Sequence, residues 1–525
     1  MIAEFLKSDT VVTLITRPRR FGKTLNMSML AEFLDCTRDS EELFAGTEIM
    51  NLGFTEEMNR RPVVFFSFHN VKGRTKELLL RNLFQALSVE YQRYETIWMD
   101  ERVNEKVRRE LADIYEVLQA NSGIDREVQE KIAYAIQKLS QALYEYYEEE
   151  VYILIDEYDT PFIEAQVSGY YSEIHDILAI LLGSALKGNQ AIKKAMLTGI
   201  QRVAKENIFS GLNNLSVCTV KDPEYSDCFG FTKEETEELL NYYGLNLTEE
   251  VKDMYDGYRF DTTEVYNPWS VINYASRKRL EPYWVNTSEN KMIRDAMDQC
   301  GPEFREEYEE LIREGRVTPT VQIETSFYEY QSSDSLWGLL INAGMVTIEE
   351  VIDIDMYTLR IPNSEVARAF RGLTAHHLNV RESSLNHMFL SLRLGDMERF
   401  AGQYRRTVLE LPSYHDLKDE NSYHMLMLGM CAFLSGDCEI KSNRESGKGR
   451  SDIILRSKNG KYPNVIMEFK YTKEEKEDLH SLAMAAIRQV KEKQYDAGMQ
   501  GPVWYMGLAH YGKETEVVWE QADFR

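Results

Sequence analysis

Val11-Val12-Thr13-Leu14-Ile15 runs into Thr16-Arg17-Pro18-Arg19-Arg20-Phe21-Gly22-Lys23-Thr24, after which Leu25, Met29, Leu30, Phe33 and Leu34 share one helical stripe. The first run is apolar and β-branched throughout, as in a strand covered on both faces. The last is an amphipathic helix. The segment between them has the spacing G-x-x-x-x-G-K-[ST], with Arg17 where the pattern has its first glycine. Gly22 permits backbone amides to approach phosphate oxygens at a helix N-terminus. Lys23 would bridge the β- and γ-phosphates of ATP, and the Thr24 hydroxyl would ligate Mg²⁺. The neighbouring cations add attraction for a triphosphate, and Arg20 joins Gly22, Lys23 and Thr24 in the expected binding set. A side chain at Arg17 is expected to narrow the loop. The rival reading is a basic surface turn before an amphipathic helix.

A second element supports the phosphate reading. Val151-Tyr152-Ile153-Leu154-Ile155 is another apolar run and ends in Asp156-Glu157. A phosphate-transfer site needs a carboxylate near its Mg²⁺ and gains from one that activates water. Asp156 suits the first role and Glu157 the second. Asp159-Thr160-Pro161 is expected to open a helix, with Asp159 as its cap. Thr198-Gly199-Ile200-Gln201-Arg202 ends a further strand, and Arg202 is a candidate stabiliser of transferred charge. A surface arginine paired with a nearby carboxylate is the competing reading. Strands are also expected at 62–66 and 215–220, and Leu79, Leu80, Leu83 and Leu87 mark a helix. Strands alternating with helices predict an α/β fold, a P-loop NTPase parallel sheet covered on both faces. From about Gly230 the pattern turns helical: Thr232-Lys233-Glu234-Glu235 is a capping box, and Asn267-Pro268 opens another helix.

The C-terminal region holds a different constellation. Asp452 opens the apolar run Ile453-Ile454-Leu455, and Val465-Ile466-Met467-Glu468-Phe469-Lys470 follows. Side chains repeat every second residue along a strand, so Glu468 and Lys470 share a face. Two carboxylates and an ammonium suit Mg²⁺-assisted phosphodiester hydrolysis. Glu420, at the start of a very apolar helix, is a further candidate ligand, and Gln489 lies on a later helix whose polar face would reach the same place. Between Lys441 and Lys461 seven basic residues (441, 444, 448, 450, 456, 458, 461) face only Glu445 and Asp452. That is the local footprint a DNA backbone needs. A solvated hairpin with charged edges is the bland alternative.

Composition bounds the rest. With 525 residues the chain has material for about three domains. Its net charge of −25 excludes a general polyanion binder, so a nucleic-acid site must be local. Six scattered cysteines do not form a secreted disulfide framework. The N-terminus lacks the pattern of a signal peptide, and the longest apolar run, from Met425 to Leu434, is too short to span a membrane. The expectation is a cytoplasmic protein with no membrane partner, and self-association is left open.

The runs 16–26, 155–161 and 197–205, together with Phe209-Ser210-Gly211-Leu212-Asn213-Asn214-Leu215 and Tyr266-Asn267-Pro268-Trp269-Ser270, resemble the bacterial AAA-ATPase-like family. The stretch 442–452 with Glu468-Phe469-Lys470 resembles the PD-(D/E)XK nuclease-like domain that usually follows it, with Ser451 where the superfamily name has proline. The arginine at the first glycine position is itself typical of that family. Members usually carry a further N-terminal segment with a Tyr-Val-Asp-Lys-like stretch, so a truncated adenine pocket is expected here. The resemblance implies an ATPase domain over residues 1–229, a mostly helical lid and connecting region over 230–385, and a smaller α/β nuclease-like domain over 386–525. Two functional classes follow: an ATP-regulated, Mg²⁺-dependent DNA nuclease acting against mobile DNA, or a nucleotide-dependent switch whose nuclease fold holds nucleic acid or a partner without cutting.

Overall fold

The computed structural model describes residues 1–120, 126–202, 215–284, 287–325, 331–411, 419–434, 437–446 and 449–522. The chain divides into two units, each assembled from several segments of the sequence. One comprises 1–247, 258–277 and 321–344, the other 248–257, 278–320 and 345–525.

The first unit is built on five parallel strands, β1 (Val12–Thr16), β2 (Val63–Ser67), β3 (Val151–Asp156), β4 (Ile192–Gly199) and β5 (Leu215–Cys218), in the order β2-β3-β4-β1-β5. Every residue of β1 and β3 is buried, the reason both read as unbroken apolar runs. Period-two alternation splits their side chains between two cores. Leu14, Ile153, Ile155 and Leu197 pack with the helices Lys76–Arg93, Ala135–Tyr147 and Tyr171–Leu186. Ile15, Tyr152, Leu154 and Met196 pack with the helix Lys23–Leu34. Because β4 lies between β1 and β3, the loop after β1 and the carboxylates after β3 flank Thr198 and Gly199. A hairpin of β6 (Tyr258–Phe260) and β7 (Thr263–Val265) adds a small second sheet. Both predicted caps form: Thr232 and Glu235 make the reciprocal capping box, and Asn267 Oδ1 accepts the Ser270 amide at 3.2 Å.

The second unit contains a small antiparallel sheet of β8 (Arg316–Val317), β9 (Thr347–Asp353) and β10 (Met356–Arg360). Its larger sheet runs β11 (Cys438–Ser446), β12 (Gly449–Ser457), β13 (Asn464–Tyr471), β14 (Val503–Tyr511) and β15 (Glu514–Gln521), in chain order. The β13–β14 pair is parallel and its neighbours are antiparallel. A parallel pair needs a crossover, and the helix Leu479–Lys493 supplies it. That helix lies so close to β14 that a Cβ on Gly507 would sit 2.0 Å from the Ala483 carbonyl. Opposite it, Met467, Phe469, Met506 and Leu508 pack with the helices Glu382–Arg393, Met397–Glu410 and Glu420–Cys431. The basic stretch is thus partly a hairpin of β11 and β12. Residues 203–214 and 447–448, and the side chains of 442–450, lie outside the described residues. The motif residues 203–205 and 209–214 and the side chains of Arg444, Lys448 and Arg450 are among these.

Candidate functional sites

The loop after β1 turns through two left-handed residues, Arg20 (φ 67°) and Gly22 (φ 80°), before the helix begins at Lys23. Gly22 adopts that conformation without strain and Arg20 at a cost of about 1 kcal/mol. The Arg20 guanidinium stacks 4.8 Å from the Trp269 ring. Lys23 is nearly buried, and its Nζ donates to the carbonyls of Arg17 (2.8 Å) and Pro18 (2.9 Å). Burial holds its ammonium below the ordinary lysine range despite the nearby carboxylates of Asp159, Glu157 and Asp156.

Arg17 does not narrow the loop. Its fully buried guanidinium turns away and donates to the carbonyls of Thr16 and Cys218 (3.0 Å each) and of Glu224 and Tyr225 (3.2 Å each). The rings of Phe229 and Phe260 lie 5.7 and 5.2 Å from it. Burial lowers its pKa to about 10, which leaves it charged at neutral pH. Arg17 therefore bolts β1 to β5 and to the turn beyond it. Arg17→Ala should lower the thermal stability of the protein by about 3 kcal/mol or more, because several buried carbonyls lose their donors together. Arg17→Lys should recover only part, since an ammonium lacks the planar fork.

Asp156 is the hub behind the loop. Thr24 Oγ1 donates to its Oδ2 at 2.8 Å, Thr198 Oγ1 to its Oδ1 at 2.6 Å, and Ser67 Oγ stands 3.5 Å from Oδ2. Glu157 follows at φ 52°, and His69 Nδ1 lies 3.0 and 3.1 Å from its two carboxylate oxygens. Burial pushes the Glu157 carboxyl up, but His69, Lys23 and Lys72 more than offset it and leave it below the ordinary range. A hydroxyl beside a carboxylate is a hard-oxygen donor pair of the kind Mg²⁺ takes, so Thr24 and Asp156 fit that ion.

One expectation at this edge is corrected. Asp159 precedes the helix Thr160–Ser168, yet its side chain makes no capping bond. Its Oδ2 instead accepts the amides of Ile200 (2.8 Å) and Gln201 (3.1 Å), and burial raises its pKa to about 6. It latches the end of β3 to the end of β4. Gly199 is required there, because a Cβ would stand 2.8 Å from Tyr158 Cε1 and 2.9 Å from Asp159 Oδ1. Arg202 is ion-paired with Glu324 at 2.9 Å, and Lys221 holds the same carboxylate at 3.1 Å. The geometry matches the paired-arginine reading.

A cavity of about 870 Å³ opens beside Gly22, lined by Phe21, Leu25, Asn26, Phe231 and Ile272 among others. It is large enough for a nucleoside and has apolar walls next to the loop. Glu4, Asp227 and Cys228 border it and bring three ligand atoms within 4.8 Å of one another. Burial pushes the Cys228 thiol up to about 12, so it carries its proton at neutral pH.

In the second unit, the β12–β13 ladder is in register as far as Ile453↔Met467. Beyond it two carboxylates replace backbone partners. Asp452 Oδ2 accepts the Phe469 amide at 2.7 Å, and Glu468 Oε2 accepts the Asp452 amide at 3.4 Å. Lys470 Nζ lies 3.7 Å from Glu468 Oε1 and 3.4 Å from Glu420 Oε1, so the ammonium bridges the two carboxylates. The Gln489 amide donates to Glu468 Oε1 from the crossover helix. His424 Nε2 contacts the Asp452 carbonyl at 3.1 Å. Burial, then the charge of Asp452, raises the Glu468 carboxyl to about 8 against the pull of Lys470. Burial also raises Glu420. These oxygen donors suit a hard divalent cation.

Residues 1–209 match the family model described as Predicted AAA-ATPase, and 418–520 match the PD-(D/E)XK nuclease superfamily. The chain joins an AAA-ATPase-like domain to a PD-(D/E)XK nuclease-superfamily domain. An uncharacterized protein in the vnfD 5' region of Azotobacter chroococcum mcd 1 is 26% identical over 366 residues, which cover 67% of this chain and 61% of that protein. No helix among the described residues is long and apolar enough to cross a membrane.

The AAA-ATPase-like domain gathers Gly22, Lys23, Thr24, Asp156 and Glu157 at one sheet edge, with Arg20 on Trp269 and Arg202 on Glu324. The nuclease-superfamily domain gathers Asp452, Glu468, Lys470, Glu420 and Gln489. Of the basic stretch, Lys441 is ion-paired with Glu439 at 3.2 Å, and Arg456 stands opposite Glu439 in register. Sequence reasoning missed His69, His424 and the latching role of Asp159. The polar residues Ser67, His69 and Asn70 at the C-terminal end of β2 are the signal for the first.

Proposed function

We propose that this protein hydrolyses ATP in its AAA-ATPase-like domain and, in its nuclease-superfamily domain, cleaves the phosphodiester backbone of DNA with Mg²⁺, in defence against mobile DNA. The observation that carries the ATPase half is the bond from Thr24 to Asp156, which unites residues 132 positions apart at the mouth of the loop. Lys23 leaves the Arg17 and Pro18 carbonyls to hold the β- and γ-phosphates, and Gly22 gives the backbone its close approach. Thr24 and Asp156 would hold Mg²⁺, which would neutralise charge on the phosphates. Glu157 takes a proton from the attacking water. The cavity beside Gly22 receives the base and ribose.

In the second domain Asp452 and Glu468, with Glu420 near, would hold Mg²⁺, which would supply Lewis-acid polarisation of a phosphoryl group, and Lys470 positions the water. Gln489 fixes the Glu468 carboxylate. Six free thiols suit a reducing compartment such as the cytoplasm. Glu157→Gln should retain ATP affinity within about threefold while turnover falls at least about 100-fold, because the base is lost and the phosphate cradle is not. Parallel binding and phosphate-release assays check this, and full turnover in that variant would overturn the assignment of the base.

A further inference from the structure

We propose that a second basic surface, in the unit that carries the nuclease-superfamily domain, grips the phosphate backbone of DNA about five base pairs from the cleaved bond. It is made of Arg368, Arg371, Arg393, Lys458 and Lys461. The inference rests on the reading of DNA as the substrate of this domain. The five residues come from three parts of the chain. Arg368 and Arg371 lie one turn apart on the helix Ser364–His377, Arg393 ends the helix Glu382–Arg393, and the two lysines follow β12. Two aromatic residues gather them. Arg371 Cζ lies 6.0 Å from the Phe433 ring, and the Phe433 carbonyl accepts Arg393 Nη2 at 2.9 Å. Arg393 Cζ and Lys461 Nζ lie 6.0 and 5.6 Å from the Tyr462 ring. Asp437 completes the ring of contacts: its carboxylate pairs with the Arg393 guanidinium at 2.5 Å, and its carbonyl accepts the Lys458 amide at 3.1 Å.

The charges on this surface do not balance. Asp437 and Glu382 attract Arg371, while Arg393 and Arg368 repel it. Burial, then those two arginines, lowers its pKa to about 10, so it stays charged at neutral pH. Arg371 is half-buried, yet its side chain makes no hydrogen bond or ion pair among the described residues, and neither do those of Arg368, Lys458 and Lys461. Crowding such cations costs the fold stability, and a phosphate backbone is the counter-ion that relieves the repulsion. In a chain of net charge −25 the excess is local, and arginines beside aromatic rings suit phosphate better than a scattered set of lysines would. The position fits as well. Cys438, next to Asp437, pairs with Ser457, and Ser457 lies five residues along β12 from Asp452. At about 3.3 Å per residue that is about 17 Å, or about five steps of a duplex.

The test is fluorescence anisotropy of labelled duplex DNA with the full chain, without metal, over a series of salt concentrations, beside thermal melts. Arg368→Gln with Arg371→Gln, and separately Lys458→Gln with Lys461→Gln, should each weaken binding about fivefold or more at low salt. Each pair should also lower the slope of log affinity against log salt by about 1–2. The two lysines are exposed, so their variant probes the surface without disturbing the core. With Mg²⁺ and saturating DNA, both variants should cut within about twofold of the parent rate, because these residues do not touch the metal site. Parental affinity in both variants, a loss that keeps the parental salt slope, or a loss confined to kcat would each overturn the proposal. So would saturable binding of inorganic phosphate that the arginine pair abolishes while DNA affinity stays unchanged, since the surface would then serve a small oxyanion. A parent that binds no DNA overturns the DNA reading itself. A parent that binds and cuts DNA, beside variants that match it, overturns this surface alone.

Discussion

Replacing Lys23 by alanine should weaken Mg·ATP binding about 100-fold or more while leaving the fold in place. The loss follows from what an ammonium does for a phosphate: a charge-assisted hydrogen bond out of water is worth roughly 1.5–3 kcal/mol, and two phosphates share this one. The fold survives for a separate reason. Lys23 is buried to 7% exposure and donates to the Arg17 and Pro18 carbonyls. Deleting it removes donors from two carbonyls but also removes the desolvation cost of a buried charge, and the two effects oppose each other. Calorimetric titration with ATP and Mg²⁺, beside a thermal melt without nucleotide, separates them. Undiminished affinity in a folded Lys23→Ala protein would remove the cradle from the site.

The strands that position both sites were legible because burial on both faces writes itself as a continuous apolar run, as in Val151–Asp156. Strands β11 and β15 were not read as strands. Cys438–Ser446 is mostly polar, and Glu514–Gln521 is polar at both ends with only the adjacent Val517 and Val518 buried, so neither carries a continuous apolar run. The candidate acids were legible because each ends an apolar run. Direction was harder. The spacing of a loop does not say which way Arg17 leaves it, and the carbonyls that capture it lie up to 208 residues away. Asp159 illustrates the same limit: Asp-Thr-Pro is a sound local signal for a helix start, and the helix does start there. Its carboxylate nonetheless went to the amides of Ile200 and Gln201, because tertiary donors in a buried place outcompete a local cap. His69 escaped notice because its partner is 88 residues away, just past the end of β3. The assembly of each unit from several segments is likewise a matter of long-range contacts.

Asp452→Ala and Glu468→Ala should each reduce Mg²⁺-dependent cleavage of DNA by about a thousandfold, since metal stabilisation of the phosphoryl group contributes several kcal/mol. Both should weaken Mg²⁺ binding as well. Lys470→Ala should lose cleavage yet keep the metal, because an ammonium is not a ligand; removing the cation beside Glu468 and Glu420 leaves both carboxylates available to the ion. Each carboxylate also accepts a backbone amide where the β12–β13 ladder ends, so alanine at either position costs some local stability. Asp452→Asn and Glu468→Gln keep an acceptor for those amides while removing the charge. They should therefore melt close to the parent and still fail to cleave. Neutralising Lys448 and Arg450 should weaken DNA binding and flatten its dependence on salt without changing metal affinity. Mg²⁺ bound at this site should show ligand distances of about 2.0–2.1 Å to these carboxylates. If Asp452→Asn and Glu468→Gln cut DNA at the parent rate, the nuclease reading fails. If the parent binds DNA with Mg²⁺ present and never cuts it, the domain is a holder of nucleic acid, and ATP would then control grip rather than cleavage.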